Sequence, residues 1–303
     1  MNEDTRMLLR FVCDGDLRRS QAQAQIILKH ITTKKDEDFA KQQLSKLENA
    51  KTRFIQLPAN LENLLVAEDS SFFPESRFLV RKKEQDIVDQ ILRIRMAAQK
   101  LKEMSLSYTP TLMLYGESGT GKTMLAKYIA YKAGIPYLYV RFSGLVGQYL
   151  GSTQNNIARV FDYARREPCV LCFDEIDSVG MARGQKNDIG EMNRIVITLM
   201  QEMDRVTNDM IVIGTTNRFD RLDPAMLRRF TVVQEIFPFT KEEACDLVQL
   251  FYKSIDEEIS SDEAMKWLST YCSENPGMSF YPYQIIRTLK QQLVDRITNE
   301  TQL

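Results

Sequence analysis

Apolar residues along this chain recur with two different periods, and the period changes with position. Between residues 111 and 237, short apolar runs of strand length alternate with stretches in which apolar residues recur at helical spacing. The runs that predict strands are 111–115, 137–142, 169–173, 210–214 and 232–237. Strands that alternate with helices build βα units, so the pattern predicts an α/β fold in which helices sandwich a mostly parallel sheet.

Helical spacing dominates both ends of the chain. Residues 1–57 carry three short apolar faces and predict a helical N-terminal domain. Residues 58–80 contain two prolines and a polar cluster, which predict an irregular linker. We therefore expect a large α/β subdomain over 81–240 and a small helical subdomain over 241–303, where helical spacing returns.

The composition argues against some classes of partner. Apolar residues make up 44% of the 303 residues, enough for a globular core, and the net charge is −1. A chain this close to neutrality offers no bulk attraction for nucleic acid or for an anionic membrane. The sequence shows no apolar run of membrane-spanning length and no signal-like start, so we expect a cytoplasmic location and no membrane partner.

The five cysteines do not suggest a disulfide framework, because their number is odd and they are dispersed. Cys169 and Cys172 have the spacing of a zinc or redox pair. They lie, however, in a run that predicts a buried strand, where residues three apart point to opposite faces. We therefore expect two separate thiols in the core.

The most specific pattern in the chain follows the first predicted strand. It consists of Gly116, Glu117, Ser118, Gly119, Thr120, Gly121, Lys122 and Thr123, with Met124 opening a helical stretch. A glycine-rich loop between a strand and a helix brings backbone amides close to phosphate oxygens, beside the positive end of the helix. Lys122 would supply charge to the terminal phosphates, and the Thr123 hydroxyl would bind Mg²⁺. ATP and Mg²⁺ are thus the expected ligands, and the full spacing disfavours the alternative of an ordinary glycine turn.

Two carboxylates end the third predicted strand. Asp174 and Glu175 follow the apolar run 169–173, about fifty residues after the phosphate loop. Asp174 would hold Mg²⁺ directly or through water, and Glu175 would orient and activate the water that attacks the γ-phosphate. Many strands end in acidic residues, so the pair gains its meaning from the phosphate loop that precedes it.

Polar residues also follow the fourth predicted strand. Asn217 would hydrogen-bond the γ-phosphate or the attacking water, or it is simply a turn residue, a position for which Asn is suited. Arg228 and Arg229 come after a short helical pattern. A guanidinium neutralises charge on a transferring phosphate, in its own chain or in a neighbour, but adjacent arginines also form surface ion pairs.

In this order, these elements resemble the AAA branch of the AAA+ ATPases over roughly residues 77–298. The resemblance rests on the Walker A loop at 116–123, the Walker B segment at 173–175 and the second region of homology at 214–230. It implies an AAA+ P-loop module with a C-terminal helical lid, preceded here by the helical N-terminal domain.

The resemblance also implies roles for single residues. Asn217 matches the sensor-1 residue of the family. Arg228 and Arg229 match the two arginine-finger positions, which act on ATP bound to the neighbouring subunit. A homo-oligomeric ring, usually a hexamer, is therefore implied.

The segment Tyr149, Leu150 and Gly151 resembles the first pore loop of the family, which grips a polypeptide substrate in the channel of the ring. An aromatic side chain can hold many sequences through apolar contact. Without the resemblance, a packed loop tyrosine would be the simpler interpretation. Residues 181–191 fall where a second pore loop would lie.

The chain departs from the family pattern in three places. Glu117 and Ser118 stand where the family often has two prolines. The two arginines are closer together than in the family, which leaves open which of them reaches the phosphate. Residues 277–283 replace the usual lid sequence Ser-Gly-Ala-Asp, so no contact between the lid and the nucleotide is assigned.

The function implied is that of an ATP-hydrolysing ring motor that remodels or unfolds proteins by threading them through its central pore. The compact layout is similar to that of bacterial stand-alone AAA proteins that work beside a subtilisin-like protease. The sequence carries no protease motif of its own, so a peptidase partner would be a separate chain. The alternative function is an ATP-dependent nucleic-acid loader or molecular switch, which the near-neutral charge and the aromatic loop disfavour.

Overall fold

The computed structural model describes residues 3–13, 23–24, 26–28, 36, 39–40, 57–106, 108–145, 152–166, 168–177, 188–207 and 209–301. Most of the predicted N-terminal helical domain lies outside these ranges, and so do Tyr149, Leu150, Gly151 and most of the second pore-loop segment. The N-terminal domain and the pore loops therefore stay predictions.

Six strands of the described residues form one sheet. The strands are β1 (Leu65–Glu68), β2 (Thr111–Tyr115), β3 (Tyr137–Val140), β4 (Cys169–Phe173), β5 (Met210–Thr216) and β6 (Val232–Glu235). The helices are α1 (Glu3–Cys13), α2 (Lys82–Glu103), α3 (Lys122–Ala133), α4 (Phe142–Leu145), α5 (Ser152–Ala164), α6 (Asp188–Met203), α7 (Pro224–Leu227), α8 (Lys241–Lys253), α9 (Ser261–Glu274) and α10 (Pro282–Thr301). Short 3₁₀ turns lie at Ser70–Phe72, Glu75–Arg77 and Phe219–Arg221.

The sheet has the order β1-β3-β4-β5-β2-β6, and every neighbouring pair except β1 and β3 is parallel. This confirms the predicted α/β fold with a mostly parallel sheet between helices. Parallel strands need crossover connections, and helices supply most of them here. Strand β3 ends at Val140 rather than at the predicted Phe142, because Phe142 already begins α4.

Residues 65–68 differ from the irregular linker that the sequence predicted for this region. They form β1, which pairs antiparallel with β3 along its whole length. Leu61, Leu64 and Leu65 bury their side chains in the core at this edge of the sheet. Burial of these leucines, together with pairing to β3, stabilises a strand that is too short to be predicted from its own sequence.

The sheet separates two apolar cores. Cys169 lies in one core with Phe161 and Phe173, whereas Cys172 lies in the other core with Ile129. Both thiols are buried and free, so the prediction of two separate core thiols is confirmed. Burial raises the pKa of the Cys172 thiol to about 12, so this thiol stays protonated and unreactive at neutral pH.

Helices α8, α9 and α10 pack around a third apolar core that includes Val248, Leu268 and Ile285. Thr240 and Ser260 cap α8 and α9, each in reciprocal hydrogen bonds with the glutamate at the third helical position. We refer to these three helices, with the segments that connect them, as the lid. In the part of the chain that the structure describes, no helix is both long enough and apolar enough to cross a bilayer.

Candidate nucleotide site

The loop between β2 and α3 is shaped by its glycines. Gly116, Gly119 and Gly121 have φ angles of 141°, 85° and 99°, a region that favours glycine. A Cβ atom on Gly116 would lie 2.2 Å from the backbone oxygen of Ile236, the residue that follows β6. A side chain at this position would therefore clash, and the loop packs directly on the backbone that leads into the lid.

Lys122, the first residue of α3, is held by the loop itself. Its Nζ donates hydrogen bonds to the backbone oxygens of Gly116 and Glu117, each at 2.8 Å. Burial lowers the pKa of Lys122 below its ordinary value, and the nearby carboxylates of Asp174 and Glu175 oppose that shift. The ammonium group is thus fixed within the loop, near two carboxylates.

The next residue of α3 meets the end of β4. Thr123 Oγ1 donates to both carboxylate oxygens of Asp174, at 3.1 and 3.0 Å. Strand β5 lies between β4 and β2, so the carboxyl ends of these three strands meet at one edge of the sheet. The structure therefore brings Thr123 and Asp174, the two residues expected to bind metal, into direct contact.

Thr215, near the end of β5, links the two carboxylate residues of β4. Its hydroxyl donates a hydrogen bond to Asp174 and accepts one from the backbone N–H of Glu175 at 3.1 Å. Glu175 has a φ of 53°, in the left-handed region that is uncommon for a residue other than glycine. The hydrogen bond from Thr215 helps to hold this conformation, which leaves the Glu175 side chain exposed at the cavity described below.

A second threonine supports the position of Asn217. Thr216 Oγ1 donates to Asp177 Oδ1 at 2.6 Å and accepts a hydrogen bond from the backbone N–H of Arg218 at 2.9 Å. Thr216 and Asp177 are buried, whereas Asn217 is exposed. The sequence analysis did not predict the contributions of Asp177, Thr215 and Thr216. The one feature that could have indicated them is their position at or shortly after the end of a strand.

The two arginines differ in their surroundings. Arg229 forms an ion pair with Asp204 at 3.3 Å and donates to the backbone oxygen of Ala225 at 2.8 Å. Arg228 is exposed, and its side chain makes no hydrogen bond or ion pair with any residue that the structure describes. Neither arginine lines the cavity of its own chain.

A cavity of about 810 Å³ lies between the phosphate loop and the lid. Its polar wall is formed by residues 118–124, Asp174, Glu175 and residues 215–217. Its apolar wall is formed mainly by Phe78, Leu79, Phe239, Leu247, Phe251, Ile255, Pro282, Ile286 and Leu293. The sequence analysis located most of the polar wall and none of the apolar wall.

Helix α10 contributes one face to this apolar wall. Tyr283, Ile286, Lys290 and Leu293 line the cavity, and their spacing is that of a single helical face. Lys290 therefore places a cation of the lid at the cavity. The periodicity of α10 was visible in the sequence, but nothing in it indicated that this face would meet a ligand.

The residues around the cavity fit a nucleotide with Mg²⁺. The cavity volume lies in the range that is typical of small-molecule sites. The loop amides, the start of α3 and Lys122 suit phosphate groups, and the apolar wall suits a planar base. The Thr123 hydroxyl and the Asp174 carboxylate are oxygen ligands of the kind that Mg²⁺ prefers when phosphates and water complete its shell.

Comparison with known proteins shows which proteins this part of the chain is similar to. Residues 112–238 match the model of the ATPase family associated with various cellular activities (AAA). The chain contains an AAA ATPase domain. This AAA domain spans all of β2 to β6 except the first residue of β2, and an AAA domain binds nucleotide. These matches support the enzyme class that the sequence predicted, an ATPase.

Curated relatives share this domain. The Peroxisomal ATPase PEX6 of Rattus norvegicus is 41% identical over 150 residues, which are 48% of this chain and 15% of that protein. The human protein of the same name is 45% identical over 121 residues, 39% of this chain and 12% of that protein. The one from Candida glabrata is 32% identical over 207 residues, 65% of this chain and 20% of that protein. The matched segments thus cover only a small part of the length of these relatives.

Proposed function

We propose that this chain binds ATP with Mg²⁺ in the cavity and hydrolyses the ATP to remodel or unfold proteins, which it threads through the pore of a homo-oligomeric ring. The observation that carries the proposal is the meeting of the phosphate loop and the ends of β4 and β5 at one cavity beneath the lid. Phosphoryl transfer depends on positioning and charge stabilisation, and this arrangement offers groups for both.

Each group at the polar wall has a proposed role. Lys122 and the loop amides bind the phosphates, and Thr123 and Asp174 hold Mg²⁺, which neutralises charge on phosphate oxygens. Glu175 orients the attacking water and accepts its proton. Asn217 hydrogen-bonds the γ-phosphate or that water.

Arg228 is the arginine that we propose to act on ATP in a neighbouring subunit. A guanidinium without partners among the described residues of its own chain is available to bind a phosphate across an interface. Arg229, in contrast, is engaged with Asp204 and Ala225 of its own chain. We therefore propose a structural role for Arg229 and a role in hydrolysis for Arg228, within the hexameric ring that the family resemblance implies.

The proposal of a protein substrate rests on the family resemblance of Tyr149, Leu150 and Gly151, which lie outside the described residues. The near-neutral charge of the chain supports a polypeptide over nucleic acid. A separate peptidase partner and a cytoplasmic location stay predictions from the sequence alone, and the relatives are peroxisomal ATPases by name.

The experiment that tests this proposal compares Tyr149→Ala with Tyr149→Phe. The substrate is a green fluorescent protein with an unstructured tail, and the readouts are ATP turnover and loss of fluorescence. We expect the alanine variant to keep basal ATP turnover and lose unfolding, whereas phenylalanine retains unfolding because it keeps the aromatic ring.

Two outcomes would contradict the proposal. Unfolding that survives Tyr149→Ala would remove the pore-loop role. ATP turnover that is stimulated by single-stranded DNA, without any unfolding by the unmodified chain, would favour the nucleic-acid loader instead.

A further inference from the structure

Two segments that depart from the family pattern contact each other at the edge of the cavity. One is the start of the phosphate loop, where Glu117 and Ser118 stand, and the other is the lid segment 277–283. The hydroxyl of Tyr281, in the lid, donates a hydrogen bond to the carboxylate of Glu117. The two residues are separated by 164 positions in the sequence, so the contact is a product of the fold.

A backbone contact lies beside this bond. The backbone N–H of Tyr283 donates to the carbonyl oxygen of Gly119 at 3.4 Å. A Cβ atom placed on Gly119 would lie 3.6 Å from the Cβ of Tyr283 and 3.7 Å from that of Tyr281. The lid and the loop are therefore in van der Waals contact at this point. The hydrogen bond between Tyr281 and Glu117 lies beside this contact.

Glu117 also connects the lid to the cation of the loop. Its backbone oxygen accepts hydrogen bonds from Lys122 Nζ at 2.8 Å and from Thr120 Oγ1 at 2.9 Å. Its side chain accepts the bond from Tyr281. A movement of the lid that pulled on Glu117 would thus act on the backbone that holds Lys122.

The lid segment is also fixed next to residues 236–240, which connect β6 to α8 and which we call the hinge. The N–H of Phe239, in the hinge, donates to the carbonyl oxygen of Phe280 at 2.8 Å. The guanidinium of Arg81 lies 4.7 Å from the centre of the Phe239 ring, which holds the hinge against the start of α2. Tyr281 follows Phe280 directly, so opening the lid about this hinge would have to break the bond to Glu117.

We propose that Tyr281 and Glu117 form a latch that ties the lid to the phosphate loop and slows the passage of nucleotide into and out of the cavity. The proposal rests on the nucleotide-binding part of the proposed function and is independent of the protein substrate. Both residues are positioning residues: they act through the lid and the loop, and the latch has no part in the transfer of phosphate.

The test measures the binding kinetics of a fluorescent ADP, the N-methylanthraniloyl derivative, by stopped flow. We expect Tyr281→Phe to raise the association and dissociation rate constants together by about threefold to tenfold, the range for an ordinary hydrogen bond, because solvent weakens this exposed bond to a carboxylate. Because the latch acts on the barrier rather than on the bound state, Kd should change by less than about twofold.

A double-mutant cycle tests whether the two residues act as a pair. Glu117→Ala should raise the same rate constants, and the double variant should be no faster than the faster single variant, because both changes remove one bond. Glu117→Gln keeps an acceptor and should give intermediate rates. Tyr131→Phe is the matched control, since it removes another exposed tyrosine–glutamate hydrogen bond, to Glu75 at 2.6 Å, that does not involve the lid.

The outcomes separate the latch from the proposed function. If the unmodified chain fails to bind the fluorescent ADP, the proposed function is overturned and the latch with it. If binding is normal but Tyr281→Phe leaves both rate constants unchanged, or if the effects of the two single changes multiply in the double variant, the latch alone is overturned. Tyr281→Phe removes one exposed hydroxyl, so it keeps the test available even if Glu117→Ala fails to fold.

Discussion

The two walls of the nucleotide cavity are built in opposite ways. The wall at the edge of the sheet consists of charged and polar groups that hold one another, such as Thr123 and Asp174. The wall at the lid consists mainly of apolar side chains from α8, α10, the hinge and the segment before α2, with Lys290 as a cation among them. The first wall is stabilised by hydrogen bonds in fixed geometry, and the second by apolar contact that tolerates movement.

This difference separates chemistry from affinity. Groups that must stabilise a developing charge need fixed positions, which the packed sheet provides. Apolar contact with a base depends on buried area rather than on exact direction, so it can be supplied by helices that move. We therefore expect changes at the sheet wall to act mainly on catalysis or phosphate binding, and changes at the lid wall to act mainly on KM.

The largest effect is expected at Lys122. Lys122→Ala removes the one cation held inside the loop and should weaken ATP binding by at least about a hundredfold, which isothermal calorimetry can measure. Lys127→Ala, on the same helix, is the matched control, because Lys127 pairs with Glu68 at 2.6 Å away from the cavity. Equal affinity of Lys122→Ala and the unmodified chain would rule out the proposed role of the loop.

Glu175→Gln should separate binding from turnover. The amide keeps the shape of the side chain but cannot accept a proton, so kcat should fall by about a hundredfold or more while ATP still binds. Steady-state phosphate release and equilibrium binding of ATP measure the two quantities. Normal turnover in this variant would show that another group activates the water. Glu103→Gln, on the surface of α2, is the control for the loss of a carboxylate.

Thr215→Val should show a smaller effect on the same wall. Valine has the shape of threonine but loses the bonds to Asp174 and to the N–H of Glu175, so we expect kcat to fall by about tenfold and the Mg²⁺ requirement to rise. Activity is measured as a function of Mg²⁺ concentration. Thr231→Val is the control, because its hydroxyl bonds to Thr109 away from the cavity; equal effects of the two changes would reduce Thr215 to a packing role.

Ile286→Ala should give the smallest effect and a different pattern. Loss of about three carbons from this partly buried side chain of the lid wall should raise KM for ATP by up to about tenfold and leave kcat nearly unchanged. Ile259→Ala, in the same lid core but outside the cavity wall, reports the cost of destabilising the lid. If Ile286→Ala lowered kcat as strongly as Thr215→Val, the separation between the two walls would not hold.

The sequence predicted the sheet wall well because its chemistry is local. A phosphate loop needs glycines, a lysine and a hydroxyl within a few residues, and flanking strand and helix patterns are visible in the same window. The carboxylates could be placed because parallel strands end at one edge. The contribution of Thr215 could not be predicted, because it depends on which strand pairs with β4. The sequence of one strand does not determine its partner.

The lid wall and β1 illustrate the opposite case. The contact between Tyr281 and Glu117 joins residues 164 positions apart, and neither segment has a pattern that refers to the other. Strand β1 has four residues and becomes a strand through its partner β3. In both places the structure depends on contacts between segments that are distant in the sequence. Local periodicity does not predict such contacts.

The close approach of Gly116 to the backbone of Ile236 has a consequence for the genetics of this chain. A search for second-site suppressors of a Gly116→Ala variant should yield almost none. The new methyl group would clash with a main-chain oxygen 2.2 Å away rather than with a side chain. No substitution at another position can remove a carbonyl oxygen. Revertants of such a variant should therefore be recovered almost entirely as true reversions to the glycine codon.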